Sequence, residues 1–323
     1  MTKLSTVCYI EKDGKYLMLH RTVKKNDVNK DKWIGVGGHF EPDESPEECL
    51  LREVKEETGY TLTSYKYRGQ VTFVSGNGVT EYMSLFTADG FEGEQIECEE
   101  GELAWVDVED VWKLNLWEGD KIFFRLMDEG QDFFSLKLVY NGHNTLESAA
   151  LNGAPMELVD VLNEDGAKTG IVRECGVAHR EGSLHAAVHV WVFFRNGQEG
   201  YDVMTLKGHV KAGEDIATSA ARKLRETLEN AAVEELHYVN IHRRESEGVF
   251  HGEGVWDREI CSVYVYTKPV DENGFILSES KGEEITWMDE RGCLRRMQDG
   301  TLPDGIDEEE LHMVNEYLKD CGI

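Results

Sequence analysis

The chain is poor in proline and has no surplus of basic residues, and both shortages restrict what it can be. Its 323 residues include 5 prolines, while 40% are hydrophobic and 10% aromatic, a composition typical of globular and not disordered proteins. Lysine and arginine number 34 against 63 acidic residues, a formal net charge of −29. Without excess positive charge to displace counterions, non-specific binding to nucleic acid or to an anionic membrane is not expected.

Paired cysteines and long apolar runs are also lacking. The 7 cysteines are scattered, without a Cys-x-x-Cys pair, which is typical of reduced thiols and not of a disulfide framework or a zinc site. No apolar run approaches the roughly 18 residues of a membrane span, and the first residues lack the apolar core of a signal peptide. We therefore expect a cytoplasmic protein. Its length is sufficient for two domains.

The chain does have a row of acidic residues at helical spacing. Residues 38–60 fit the pattern G-x5-E-x7-R-E-U-x-E-E-x-G-U, where U is a bulky apolar residue, at every fixed position. Ser45 and Pro46 predict the start of a helix, and Gly59 predicts its end. We call residues 38–60 the first box.

Three carboxylates of this box are expected on one face of the helix. Glu53, Glu56 and Glu57 fall at i, i+3 and i+4. They repel one another unless a cation lies between them, and hard oxygen ligands suit Mg²⁺ or Mn²⁺. A solvated acidic helix face is the alternative interpretation. The agreement of two glycines and an arginine with the pattern favours a metal site.

These residues resemble the signature box of the Nudix hydrolases. The resemblance implies a metal-dependent pyrophosphohydrolase, in which the three glutamates bind Mg²⁺ (or Mn²⁺) or, for one of them, deprotonate the attacking water. It implies that Arg52 pairs with a box carboxylate, that Glu44 orients the loop, and that a glycine carbonyl and a further acid add ligands. The catalytic candidates are Glu53, Glu56, Glu57, Arg52 and Glu44, and the metal candidates are the same glutamates with Gly37, Gly38 and Glu100. For the further acid, Glu102 is the alternative, and a solvated loop is the alternative to both.

The expected substrate is a nucleotide. The segment Trp117-Glu118-Gly119-Asp120 resembles the one with which MutT-type 8-oxo-dGTP diphosphatases bind an oxidised purine, and the substrate-binding candidates are Trp117, Asp120, Thr6, Lys24 and Met83. Ile34 and Gly119 depart from that group. The broader expectation is a nucleoside triphosphate cleaved to monophosphate and pyrophosphate. Dinucleoside polyphosphates, ADP-ribose and inositol pyrophosphates are alternatives, as is a nucleotide-sensing protein without catalysis.

The second half repeats the plan at a constant offset of 170 residues, since Gly208, Glu214 and Arg222 match Gly38, Glu44 and Arg52. The sequence thus predicts two tandem α/β/α sandwiches with mixed sheets, both resembling Nudix domains. The expected organisation is a catalytic domain at 1–140, a linker at 141–155 marked by Asn-Gly steps, and a second domain at 156–323 with a second box at 208–230. In the second box Lys223 and Thr227 replace two of the three glutamates, so no Nudix hydrolysis is expected there.

The second half also resembles the Nudix branch related to isopentenyl-diphosphate isomerase. The resemblance rests on residues 157–161, 168–170, 178–185 and 189–193. It implies metal ligation by histidines and by two acids on a later strand, here at 256–261. The candidates are His179, His185, His209, Asp257 and Glu259. Ordinary polar histidines are the alternative. Otherwise we expect a packing, dimerisation or ligand-sensing module, so a homodimer and isomerase-like activity are both open.

Overall fold

The computed structural model describes residues 1–23, 27–195, 201–228, 231–250, 253–270, 288–289 and 307–321. The chain divides into two compact units. The first unit comprises residues 1–158 and 171–177, and the second comprises residues 159–170 and 178–323.

The first unit contains a nine-stranded mixed sheet. The path of the sheet is β3-β2-β1-β5-β4-β7-β8-β9, with β6 paired to β2; β1 runs parallel to β5 and β4 parallel to β7. Its elements are β1 (Thr2–Lys12), β2 (Lys15–His20), β3 (Trp33–Ile34), α1 (Pro46–Thr58), β4 (Thr61–Val74), β5 (Thr80–Glu92), β6 (Glu102–Asp107), α2 (Val108–Val111), α3 (Glu118–Asp128), β7 (Phe134–Tyr140), β8 (Leu146–Leu151) and β9 (Ala154–Pro155).

Alternation along β1 separates the two faces of this sheet. Cys8 and Ile10 face α1 and pack with its Leu50 and Val54 in one buried cluster. Tyr9 faces the other way, with its ring centroid 4.7 Å from that of Phe124 in α3. The sheet therefore lies between helices, which confirms the predicted α/β class with a mixed sheet.

The predicted linker at 141–155 is wrong for the described structure. This segment forms β8 and β9, which pair successively onto β7. Asn152 and Gly153, at φ 51° and 84°, make the two-residue turn between them. Asn-Gly is the favoured sequence of such hairpin turns, and the same dipeptide had suggested a linker. The first unit therefore continues beyond the expected boundary at residue 140, as far as residue 158.

The second unit contains a five-stranded mixed sheet in the order β14-β15-β12-β13-β16, in which β12 and β15 are parallel. The remaining elements of the chain are β10 (Leu158–Leu162), β11 (Lys168–Glu174), α4 (Cys175–Arg180), β12 (His185–Arg195), β13 (Tyr201–His209), α5 (Ile216–Thr227), a 3-10 turn (Val233–Glu235), β14 (Leu236–Phe250), β15 (Glu253–Val270), β16 (Met288–Asp289) and α6 (Glu308–Cys321). Strands β10 and β11 form a separate two-stranded sheet.

This second sheet also carries a helix on each face. Val188 and Val190 of β12 pack with Leu224 of α5. On the opposite face Trp191 packs with Leu311 of α6. Each unit thus has a parallel strand pair at its centre, β1 with β5 and β12 with β15, and a box helix on one face.

Candidate functional site

The helix of the first box is fixed by its own sequence at both ends. Ser45 and Glu48 form a capping box, and Pro46 occupies the first turn. Gly59 ends the helix at φ 78°, where its amide N–H donates to the carbonyl of Lys55. These local contacts set the rotation of α1 and thereby the direction of its glutamates.

The three box glutamates occupy different environments. Glu57 is buried, and its Oε2 accepts a hydrogen bond from the amide of Gly37 at 2.8 Å. Glu53 Oε1 accepts from Arg52 Nη1 at 2.8 Å. The Glu56 side chain is 62% exposed and is the most accessible of the three. All three carboxylates thus have a protein partner, but the contact of Glu56 Oε2 with Arg52 Nη1, at 3.4 Å, is the longest.

Arg52 connects the helix to the loop before it. Its guanidinium makes two hydrogen bonds to Glu44, of 2.7 and 2.9 Å, and a third to the carbonyl of His39 at 3.1 Å. Arg52 is the main reason that the pKa of Glu44 falls to about 2. Because Glu44 stays ionised at any ordinary pH, this clamp holds the loop against α1 permanently.

Two glycines are required where the loop passes the helix. A Cβ on Gly38 would lie 2.5 Å from the carboxylate of Glu53, and a Cβ on Gly37 would lie 2.3 Å from the carbonyl oxygen of Thr6. The carbonyl oxygen of Gly38 accepts a hydrogen bond of 2.9 Å from the amide of Thr6. Of the two glycine carbonyls predicted as metal ligands, that of Gly38 is therefore already bonded to β1. The space that Gly38 leaves beside Glu53 is the cradle in which a cation would be held.

Glu100, the predicted additional metal ligand, forms an ion pair with Arg21. Arg21 also binds Asp27, at 2.7 Å. A metal role for Glu100 would have to compete with this pair. The alternative, Glu102, lies exposed in β6 and pairs in register with His20.

Trp117 and Asp120 lie at the start of α3. Trp117 is only 9% exposed, with its ring 4.9 Å from Lys32 Nζ and its Nε1 donating to Asn29 at 2.9 Å. The carboxyl group of Asp120 has a shifted pKa. Burial raises its pKa to about 7, against the opposing charge of Lys32.

The other substrate candidates do not share one surface. Thr6 lies beneath α1, where its hydroxyl is 3.6 Å from the Cys49 thiol. Met83 is half-buried and pairs with Ser5 of β1, so it lies on the α3 face. Thr6 and Met83 therefore lie on opposite faces of the sheet, because a shift of one residue reverses the face, and a substrate role for Thr6 stays a prediction. Lys24 lies outside the described residues.

Comparison with known proteins bears on this geometry. Residues 1–127 match the NUDIX domain family. A Nudix hydrolase of Bacillus subtilis is 32% identical over 159 residues, which are 47% of this chain and 97% of the relative. The chain belongs to the Nudix hydrolase family.

Two further proteins are similar to this chain. The oxidized purine nucleoside triphosphate hydrolase of Danio rerio is 30% identical over 147 residues, 45% of this chain and 91% of the relative. A solved MutT protein from Bacillus halodurans is 25% identical, with a TM-score of 0.42, over 47% of this chain and 99% of that one. Nudix hydrolases act on diphosphate bonds of small molecules and generally require a divalent metal.

The second box keeps the clamp of the Nudix box but not its ligands. Arg222 makes two hydrogen bonds of 2.9 Å to Glu214 and one of 3.2 Å to the carbonyl of His209. Lys223 is buried in the place that matches Glu53, with its side chain beside Gly208. Thr227 bonds back to the carbonyl of Lys223. Glu229, the last replaced position, lies outside the described residues.

The five second-unit candidates come together. The ring centroids of His179, His185 and His209 form a triangle with sides of 5.1–5.2 Å. Asp257 Oδ1 lies 3.5 Å from His179 Nε2 and 3.7 Å from His185 Nε2. Glu259 Oε1 lies 3.8 Å from His209 Nε2. We call these five residues the histidine cluster.

Two atoms of the histidine cluster are buried without a hydrogen-bond partner among the described residues: His185 Nε2 and Asp257 Oδ1. His185 Nδ1 is 2.8 Å from the carbonyl of Ser183, which can only accept, so Nδ1 carries the proton of the neutral ring. The facing Nε2 is then a lone-pair acceptor, like Asp257 Oδ1. These two buried acceptors lie 3.7 Å apart without a hydrogen bond of their own, although Arg244 Nη1 is 3.7 Å from the other carboxylate oxygen of Asp257. A metal cation is a partner that both acceptors could share.

Burial shifts the pKa values of two members of the histidine cluster. Burial lowers the pKa of His185 and raises that of Asp257, so each is driven towards its neutral form. A bound cation would oppose this shift for Asp257 by favouring its charged form. Arg244, which the sequence did not suggest, adds a guanidinium 3.1 Å from Glu259.

The second unit also holds a cavity of about 370 Å³ between β10–β11 and the sheet. Its lining includes Asp160, Ala186, Glu214 of the second box, Ile241 and Ile260, but no member of the histidine cluster. Among the described residues no helix is long and apolar enough to cross a membrane.

Proposed function

We propose that the first unit hydrolyses a nucleoside triphosphate to monophosphate and pyrophosphate by attack of water on phosphorus, with Mg²⁺ or Mn²⁺ bound at the box. The observation that carries the proposal is the arrangement of Glu53, Glu56 and Glu57 beside a loop that Arg52 fixes. The all-oxygen donor set and the cradle at Gly38 fit a hard divalent cation.

We propose different roles for the individual residues of the first box. Glu53 and Glu57, which the protein already holds, are proposed as metal ligands, with Gly37 offering a carbonyl. The exposed Glu56 is proposed to bind metal or to accept the proton of the attacking water. Bound Mg²⁺ would neutralise phosphate charge and lower the pKa of water. Arg52 and Glu44 act by keeping the loop in place.

Asp120 supports a nucleotide substrate. Because its pKa lies at about 7, its carboxyl group can either donate or accept a hydrogen bond near neutral pH, which suits the edge of a purine base. Trp117 lies three residues before it, and Met83 lies on the same face of the sheet. The Danio rerio relative is named for oxidised purine nucleoside triphosphates, and this chain is proposed to take such substrates or ordinary ones.

A Glu56→Gln variant tests the proposal. We expect turnover to fall by about 10²–10⁴-fold, since glutamine neither ionises nor accepts a proton. The matched control is Glu226→Gln, which makes the same change in the second box and is expected to leave turnover unchanged. The assay separates substrates from products by anion-exchange chromatography, on a panel that includes 8-oxo-dGTP, ADP-ribose, dinucleoside polyphosphates and inositol pyrophosphates. Full turnover by Glu56→Gln would contradict the proposal, and lack of turnover of the whole panel would favour a nucleotide sensor.

For the second unit we propose a Nudix-like duplicate that has exchanged the box metal for a transition-metal centre at the histidine cluster. The observation that favours it is the pair of facing, partnerless acceptors on His185 and Asp257. Imidazole and carboxylate donors suit zinc and related ions. Isomerase-like activity is the functional alternative, and hydrogen-isotope exchange into isopentenyl diphosphate by the full chain checks it.

The wider organisation is also a proposal. A catalytic domain would be followed by a second domain that serves packing, dimerisation or ligand sensing, in a cytoplasmic protein. Light scattering on the full chain would distinguish a homodimer from a monomer.

A further inference from the structure

Glu310 is a carboxylate buried at the start of α6. It is fully buried, which is costly for a charged group unless that group is paired. Its Oε1 is 2.6 Å from His189 Nδ1, and its Oε2 accepts from the Trp191 indole at 3.2 Å. Both partners belong to β12, so this one side chain joins α6 to the central strand of the sheet.

The strand pattern places these groups next to the histidine cluster. His189 is four residues after His185 on β12 and therefore faces the same side. Cys261 follows Glu259 by two residues on β15, and its thiol donates to Glu259 Oε2 at 3.7 Å. The ligating atoms of Cys261, His189 and Glu310 all lie within 4.8 Å of one another. A continuous row of polar groups thus leads from Glu259 to α6.

His189, Cys261 and Glu310 are themselves of metal-binding type. Their hydrogen bonds argue against a second ion, because His189 is bonded to Glu310 and Cys261 to Glu259. At the histidine cluster, by contrast, two acceptors have no partner. We therefore place the ion between His185 and Asp257, whose facing atoms lack a hydrogen bond. The hydrogen-bonded groups of His189, Cys261 and Glu310 lie around that site.

We propose that Glu310, acting with His189 and Cys261, positions Glu259 as a ligand of the metal centre, so that α6 forms part of that centre's outer shell. The inference rests on the metal centre proposed above. Outer partners fix the orientation of a ligand and its basicity, and losing one typically lowers metal affinity by roughly 10- to 100-fold.

The coupling has a reciprocal consequence. If Glu310 raises metal affinity, then bound metal must stabilise the docking of α6 by the same free energy. Amide hydrogen exchange in α6, residues 308–321, should therefore slow when metal is added to the full chain.

The test is a Co²⁺ titration of the full chain, read by visible d–d absorption, with Glu56→Gln and Glu57→Gln present so that the box contributes no site. We expect Glu310→Gln to weaken Co²⁺ binding by roughly 10- to 100-fold. The matched control is Leu311→Ala in the same turn of α6. It removes buried packing against Trp191, lowers thermal stability, and is expected to keep Co²⁺ affinity within about twofold. Cys261→Ala, a smaller change, tests the same row if Glu310→Gln folds poorly, with an expected loss of several-fold.

The outcomes separate the two proposals. The metal centre is expected to give a Co²⁺ spectrum in the parent chain that the His185→Ala variant lacks. If the parent gives no such spectrum, or if His185→Ala gives the same one, the proposed metal centre is wrong, and this inference is wrong with it. If the parent binds but Glu310→Gln and Cys261→Ala bind equally well, only the positioning role is overturned. Equal weakening by Leu311→Ala would also overturn it, since that result needs only the packing of α6.

Discussion

The two boxes share a clamp and differ in what the clamp holds. Arg52 and Arg222 each bind the matching glutamate, Glu44 or Glu214, and each donates to the carbonyl of the matching histidine at 3.1 or 3.2 Å. Behind this shared geometry the first box presents carboxylates and the second a buried lysine. Loop conformation and carboxylate content are therefore separate properties of the pattern, since the clamp is kept where two of the three glutamates are replaced.

The largest effect should come from making the first box like the second. Glu53→Lys places an ammonium group where a metal ligand is proposed, and we expect turnover to fall by at least about 10³-fold, to background. The fold should persist, because the second unit holds Lys223 at the matching place. The same chromatographic assay and circular dichroism measure the two properties. Lys223→Glu is the control in the second box and should leave turnover as it is. If Glu53→Lys unfolds, the clamp between Arg52 and Glu44 does not hold the loop independently of the residue at position 53.

A smaller but still large effect is expected from Gly38→Ala. The added Cβ would lie 2.5 Å from the Glu53 carboxylate and displace it. Since misplacing a catalytic group by about 1 Å can cost about 10²-fold, a loss of that size in kcat is expected. Gly208→Ala is the matched control. Its Cβ would lie 3.2 Å from the flexible Lys223 chain, which can move. Similar kinetics for Gly38→Ala and the parent would remove Glu53 from the proposed ligands.

What the sequence predicted well was local or repeated. The ends of α1 followed from Ser45, Pro46 and Gly59, because capping involves residues within one turn. The clamp followed from a pattern that occurs twice. His189 was within reach of the same reasoning, since strand alternation places it on the face of His185.

What escaped prediction depended on distant contacts or on a choice between equal patterns. Glu310 meets its partners across 119 and 121 residues of chain, and nothing local indicates that contact. The Asn-Gly steps are equally suited to a linker and to a hairpin, and pairing with β7 decided between them. That Thr6 and Met83 lie on opposite faces also followed only from the strand register, because neighbouring positions on a strand point in opposite directions.

The smallest expected effect isolates the clamp itself. Arg222→Gln should leave turnover unchanged and lower the free energy of unfolding by about 1 kcal/mol at pH 7, as for a well-formed but partly exposed ion pair. Arg222 is the main cause of the lowered pKa of Glu214. A depressed carboxyl pKa contributes stability above the unfolded-state value and loses it as pH falls through the folded one, so the difference between parent and variant should shrink below about pH 4. Urea unfolding at pH 7 and pH 3 measures both values. In Arg52→Gln turnover should be lost, because there the clamped loop faces the proposed metal ligands.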